Sequence, residues 1–143
     1  MRDVRLQQLS REDCFALLAG QHLGRLVLVD DQGPLALPVT FVLDHFTVVF
    51  RTDEGTKLDA VRRGGRIAFE VDGVDEDTRT GWSVLLRGEA TEIDDPSELA
   101  RVRRLPLYPW APGPRTHYVR ILTRALTGRR IALPEDPAWN WWG

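Results

Sequence analysis

The sequence predicts a mainly β domain, a closed or nearly closed barrel with a few short helices. Apolar residues alternate with period two through five segments between Gly24 and Ile93. Turn residues separate most of these segments, so successive strands read as antiparallel neighbours. Closing such a sheet removes edges that would otherwise pair with other chains. At 143 residues the chain fits a single domain, residues 1–133, followed by a tail, 134–143, of different composition.

The elements follow in order. Ser10 is placed as the N-cap of a first helix, with Asp13 as its acidic third residue and Leu9 positioned to staple onto Cys14. Cys14, Leu17 and Leu18 form its apolar stripe, and Gly20 stops it. Strands are expected over Gly24–Val29, Leu35–Leu43, Phe46–Thr52, Arg66–Val71 and Trp82–Ile93. Asp30-Asp31-Gln32-Gly33-Pro34 and Asp44-His45 read as hairpin turns, the second without the usual glycine. Thr56–Arg63 is a short helix with Leu58 and Val61 inward, ended by Gly64-Gly65. Asp95 caps a helix opened by Pro96 and running to about Leu105. A stiff aromatic loop, 106–114, leads to a final strand pair, about His117–Leu122 and Gly128–Leu133.

Composition excludes several functions. The formal net charge is -2 and the isoelectric point is near 5.9, so no basic field attracts nucleic acid or an anionic membrane. No apolar run approaches the ~20 residues of a membrane-spanning helix. The N-terminus lacks the apolar core of a secretory signal, which makes the cytoplasm the expected address. Cys14 is the single cysteine; it forms no internal disulfide and reads as a buried small hydrophobe. His22, His45 and His117 are scattered and show no metal-binding spacing. His117 follows the aromatic loop, which leaves it either a hydrogen-bonded structural residue or one facing a pocket. Glu70 alternates with Ile67, Phe69 and Val71 and is expected in a surface or interface ion pair.

Lys57 is the only lysine beside eighteen arginines. It stands where an apolar strand gives way to a turn and a short helix, a junction that presents free backbone N–H groups and the positive end of the helix dipole. A compact ammonium there suits a single phosphate oxygen. No G-x-G-x-x-G opens a βαβ unit, which weighs against a Rossmann dinucleotide site.

Four features then line up: the barrel, Arg51-Thr52-x-x-Gly55-Thr56-Lys57-Leu58, Leu37-Pro38-Val39-Thr40-Phe41, and Gly81-Trp82-Ser83-Val84-Leu85-Leu86-Arg87-Gly88. With Ile67–Asp72 and Pro109-Trp110-Ala111-Pro112-Gly113 they resemble the FMN-binding split-barrel proteins, and more narrowly the small actinobacterial-type members of the pyridoxamine 5′-phosphate oxidase-like family. The resemblance extends over roughly Leu9 to Ala132. It implies a homodimer of split β-barrels with FMN in the interface. The Lys57 turn would hold the phosphate, with Arg51, Thr52 and Thr56 along the ribityl chain and phosphate. Leu37, Pro38, Val39 and Phe50 would line the isoalloxazine, and Trp82, Ser83 and Trp110 would complete the pocket, from the same or from the second subunit. True pyridoxamine phosphate oxidases carry a further basic substrate-phosphate site. No matching cluster stands in this sequence, so that oxidation itself is not expected.

The reading is therefore an FMN-binding oxidoreductase that passes hydride or electrons to a small molecule. A deazaflavin coenzyme is the alternative cofactor, ranked second because its acidic tail would ask for a more basic groove. A non-enzymatic module that holds flavin or haem is the alternative class, with His22, His45 and His117 the only histidines available as a haem ligand. The tail holds Trp139, Trp141 and Trp142, enough apolar area to predict docking on protein, either on a partner subunit or beside Tyr108 and Trp110.

Overall fold

The computed structural model describes residues 5–108, 110 and 113–132. The elements are β1 (Arg5–Gln8), α1 (Arg11–Ala19), β2 (Leu23–Asp30), β3 (Gly33–Asp44), β4 (Thr47–Thr52), α2 (Thr56–Arg63), β5 (Arg66–Asp75), β6 (Thr80–Glu92), α3 (Pro96–Val102) and β7 (His117–Ala132). All strand pairs are antiparallel, in the order β1-β7-β4-β3-β2-β5-β6, and β6 pairs back onto β7. Six strands thus close a ring, with β1 appended to the end of β7.

The ring closes because each strand offers one apolar face. Leu26 and Leu28, Phe41, Val48 and Phe50, Phe69 and Val71, Val84 and Leu86, and Val119 and Ile121 all point inward and are buried. Phe41 and Phe69 meet edge to face, centroids 4.8 Å apart, across the barrel. Leu58 and Val61 of α2, and Cys14, Leu17 and Leu18 of α1, extend this core. Ser10 caps α1 by accepting from the Asp13 N–H at 3.1 Å. Leu9 and Cys14 both close on Gly128, where a Cβ would come within 2.6 Å of the Cys14 sulfur. Burial pushes the Cys14 thiol pKa up, and Asp13 adds to that, so its chemistry is that of a packed hydrophobe.

A second, smaller core lies outside the ring. There Ile93 before α3, Val102 within it and Leu107 after it cover Val49 and Tyr118, and Val42 packs against them. Val42, which faces away from the ring interior, is thus partly covered within the chain. Beside this core Asp44 is buried and receives both Arg101 nitrogens, at 3.0 and 2.7 Å, and Arg120 at 2.8 Å. Arg120 also donates to Glu98. Hydrogen bonds from Arg101 lead the causes that hold the Asp44 carboxyl at about 2, below its ordinary value.

The ring is split at one place. β3 pairs with β2 through all of Gly33–Thr40, but with β4 only from Phe41↔Phe50 to Asp44↔Thr47. Beyond Phe50 the β4 strand stays with β7 as far as Thr52↔His117 and leaves β3. Among the described residues one edge of Gly33–Thr40 is therefore unpaired, which is where Pro38, lacking an N–H, is tolerated. The architecture is a split β-barrel.

Three expectations need correction. The segment His117–Ala132 is one strand of 16 residues, not a pair, because β4, β6 and β1 successively pair along it. A register shift at Arg87/Gly88 lets β6 follow its curvature; a Cβ on Gly88 would overlap the Leu122 carbonyl oxygen. Strand β1 has no counterpart in the sequence reading. Phe46 begins no strand: His45 and Phe46 form the turn with φ of 47° and 66°. The Phe46 ring packs 4.9 Å from that of Phe15, and its carbonyl accepts from Thr123. The tail 134–143 lies outside the described residues. Among the described residues no helix is long and apolar enough to cross a membrane.

Candidate functional site

Where β4 parts from β3, Asp53, Glu54 and Gly55 carry the chain into α2. Gly55 precedes the helix at φ 149°, a backbone state that side chains disfavour, and no side chain caps the first turn. The N–H groups of that turn are left to other acceptors. Leu37 from the unpaired stretch of β3, Thr52 to Lys57, and Arg115 line a cleft of about 300 Å³ here.

The charges around this cleft are mostly committed. Asp53 pairs with Arg115 at 3.4 Å. Glu54 pairs with Arg62 at 2.9 Å and lies 3.4 Å from the His117 ring. Arg62 also bonds Glu92 at 2.9 Å, and His117 Nδ1 lies 2.8 Å from Glu92. Arg62 first, and His117 after it, hold the Glu92 carboxyl below its usual range. His117 is thus a structural member of an ionic cluster. Among the described residues the Lys57 ammonium has no hydrogen bond or ion pair. Burial draws its pKa below the ordinary lysine value, the nearby Arg115 adds to this, and Asp53 opposes it. Two cations sharing one partly buried cleft repel each other, and an anion between them would offset that repulsion and favour the charged lysine.

The structure distributes the residues singled out in the sequence over several places. Leu37, Thr52, Thr56 and Lys57 come together in the cleft. Phe50 is wholly enclosed and Val39 is buried in the core, while Pro38 is exposed on the outer face of β3. Arg51 also turns elsewhere. It donates to the Arg115 carbonyl at 3.0 Å and the Pro114 carbonyl at 3.3 Å, and its guanidinium lies 5.4 Å from the Tyr118 ring centroid. Arg51 therefore holds the loop that presents Arg115. Trp82 and Ser83 line a different groove, of about 870 Å³, on β5, β6 and the end of β7. Trp110 is exposed. Glu70 forms the expected surface ion pair with Arg25 at 3.1 Å.

Arg115 was not among the sequence candidates. It stands 58 positions from Lys57, and only the β4–β7 pairing brings the two loops together. Its sole local signal is its place after Gly113-Pro114, where a loop turns back into a strand.

A family model described as pyridoxamine 5′-phosphate oxidase matches residues 10–130. The chain belongs to the pyridoxamine 5′-phosphate oxidase family. Within reach of this oxidase family, an uncharacterised protein of Mycobacterium tuberculosis is 36% identical over 129 residues, which is 87% of this chain and 84% of that one. The structure of an FAD-binding protein from Mycobacterium smegmatis superposes with a TM-score of 0.72 at 40% identity, covering 86% of this chain and 97% of that one. A Corynebacterium glutamicum structure named for pyridoxamine 5′-phosphate oxidase gives 0.78 at 32% identity, covering 88% and 98%.

Proposed function

We propose that the protein is a flavoprotein whose cleft at the start of α2 binds the flavin phosphate. The observation that carries this reading is Lys57, unpaired among the described residues, beside Arg115 at an uncapped helix start. Thr56 and the first-turn N–H groups add neutral donors, and a phosphate accepts from all of them at once. Leu37 borders the cleft on the unpaired stretch of β3, so the flavin ring lies along that edge. The FAD-binding relative at 40% identity supports the flavin.

FMN is the form this cleft suits best, since one pair of cations matches one phosphate group. FAD is the second reading, favoured by that same relative, and a deazaflavin is the third. The flavin supplies the redox chemistry, and the chain's part is to bind and orient it. On this reading the protein passes hydride or electrons to a small molecule, and it works as a homodimer. Trp82, Ser83 and Trp110 lie outside the cleft of their own chain and reach a flavin only from a second subunit. Pyridoxamine phosphate oxidation is not part of the proposal.

The visible spectrum of the purified protein, followed by mass analysis of what heat releases, tests this. Flavin absorption with FMN released is the expected result. FAD in its place would keep the site and change the cofactor. A protein that is colourless and takes up neither flavin overturns the reading, and uptake of deazaflavin alone replaces it with the third. Sedimentation equilibrium should give a dimer at micromolar concentration; a monomer with full flavin affinity would remove the second subunit from the site.

A further inference from the structure

At the end of the barrel where β7 finishes, the sheet carries an apolar row on its outer face. Leu6 pairs with Ile131, Ile131 with Gly81, and Gly81 with Val74. Leu6, Ile131 and Val74 are 63%, 42% and 74% exposed. No side chain can stand at the centre of the row, because a Cβ on Gly81 would come within 2.7 Å of the Gly73 carbonyl oxygen. The row is therefore a notch with apolar walls, and it forms one end of the groove of about 870 Å³. Arg79 and Arg129 line the same groove together with Glu70, Asp72 and Glu76; Glu70 and Asp72 are taken up by Arg25, whereas among the described residues neither arginine makes an ion pair. Side chains this apolar on an open face mark a docking surface.

The chain beyond Ala132 matches that surface. The described strand ends at Ala132, one residue after Ile131, itself a wall of the notch. Pro134 and Pro137 prevent it from continuing the ladder with β1 and β6. Glu135 and Asp136 come next, opposite in sign to Arg79 and Arg129. Trp139, Trp141 and Trp142 follow, each able to bury about 150–250 Å². Trp141 stands nine residues past Ala132, about 30 Å of extended chain, which is ample for a return to a notch at the point of exit.

We propose that residues 134–143 fold back on their own chain, seating a tail indole in the Leu6–Ile131–Gly81–Val74 notch with Glu135 and Asp136 against Arg79 and Arg129. This surface is neither the partner subunit nor the Tyr108 and Trp110 region, the two receivers that the sequence offered; it adjoins Trp82 and Ser83 in the same groove, and the proposal needs no bound flavin.

Disulfide trapping tests it on the full chain. Val74→Cys with Trp141→Cys should oxidise to a monomer-sized cross-linked species at least tenfold faster than Val29→Cys with Trp141→Cys. Val29 is 65% exposed but lies toward the opposite end of the barrel and serves as the control. Adding Arg79→Glu and Arg129→Glu to the Val74 pair should slow the reaction severalfold. In a variant with Trp82→Phe and Trp110→Phe, tail fluorescence should be blue-shifted relative to free tryptophan and should move red on Val74→Asp. Equal rates for the two cysteine pairs, or solvent-like tail emission, overturn the proposal. A dimer-sized cross-link also overturns it, by placing the tail on a partner.

Discussion

Arg101 and Arg120 close on the buried Asp44 beside α3, whereas Lys57 and Arg115 line one cleft where β4 parts from β3. Both regions bring two cations close to an acidic side chain, with Arg120 largely buried and Arg101 open to solvent in the first. In the first, a carboxylate takes hydrogen bonds from both partners, and its pKa falls to about 2. In the second, Asp53 makes its ion pair with Arg115, and burial, with Arg115 adding to it, moves the Lys57 pKa in the direction that disfavours its charge although Asp53 opposes this. A compensated cluster of the first kind serves the fold, whereas Lys57, which has no hydrogen bond or ion pair among the described residues, is the group on which the proposed phosphate role rests.

The largest expected effect falls on the compensated cluster. Asp44→Ala removes the shared acceptor and leaves Arg120, whose side chain is only 12% exposed, without it. Loss of about 3 kcal/mol of unfolding free energy is expected in urea titration, with flavin affinity of the folded fraction unchanged. A drop in flavin affinity with unaltered stability would invert the two roles.

Acid sharpens the same contrast. Because the folded Asp44 carboxyl sits at about 2 rather than 3.8, its contribution is fully present above the ordinary value. It is lost as pH falls through 3.8 toward 2, and amounts to about 2 kcal/mol. Stability measured between pH 5 and 2 should decline more steeply in the parent than in Asp44→Asn. Parallel curves would mean that Asp44 is not the group responsible.

A smaller effect is expected at Gly55. Replacement by Ala puts a side chain at φ 149° and should cost about 1–3 kcal/mol of stability. It should also weaken flavin binding, because the loop that aims Lys57 is distorted. Lower stability with unchanged affinity would separate the loop from the site.

Much of this fold was legible in the sequence because strand period and burial coincide. Leu37, Val39 and Phe41 alternate inward, and Leu58 and Val61 give α2 its buried face. The continuity of β7 was not legible, since Arg124 and its threonine neighbours show no apolar alternation; pairing to three other strands supplies what local propensity lacks. The turn at His45-Phe46 was obscured because Phe46 accepts positive φ in return for its packing on Phe15. At the site, Thr52, Thr56 and Lys57 are close in sequence and could be read together, with Leu37 joining through the sheet. Arg115 could not be found this way, because only long-range pairing delivers it.

The central claim is that Lys57 and Arg115 serve a phosphate rather than the fold. Parallel titrations of Lys57→Met with FMN and with riboflavin test it most directly. A charge-assisted phosphate contact contributes about 1.5–3 kcal/mol, so FMN affinity should fall roughly ten- to hundredfold. Riboflavin affinity and the unfolding midpoint should stay near those of the parent. Equal FMN affinity in mutant and parent, or an equal loss for both ligands, would contradict the account.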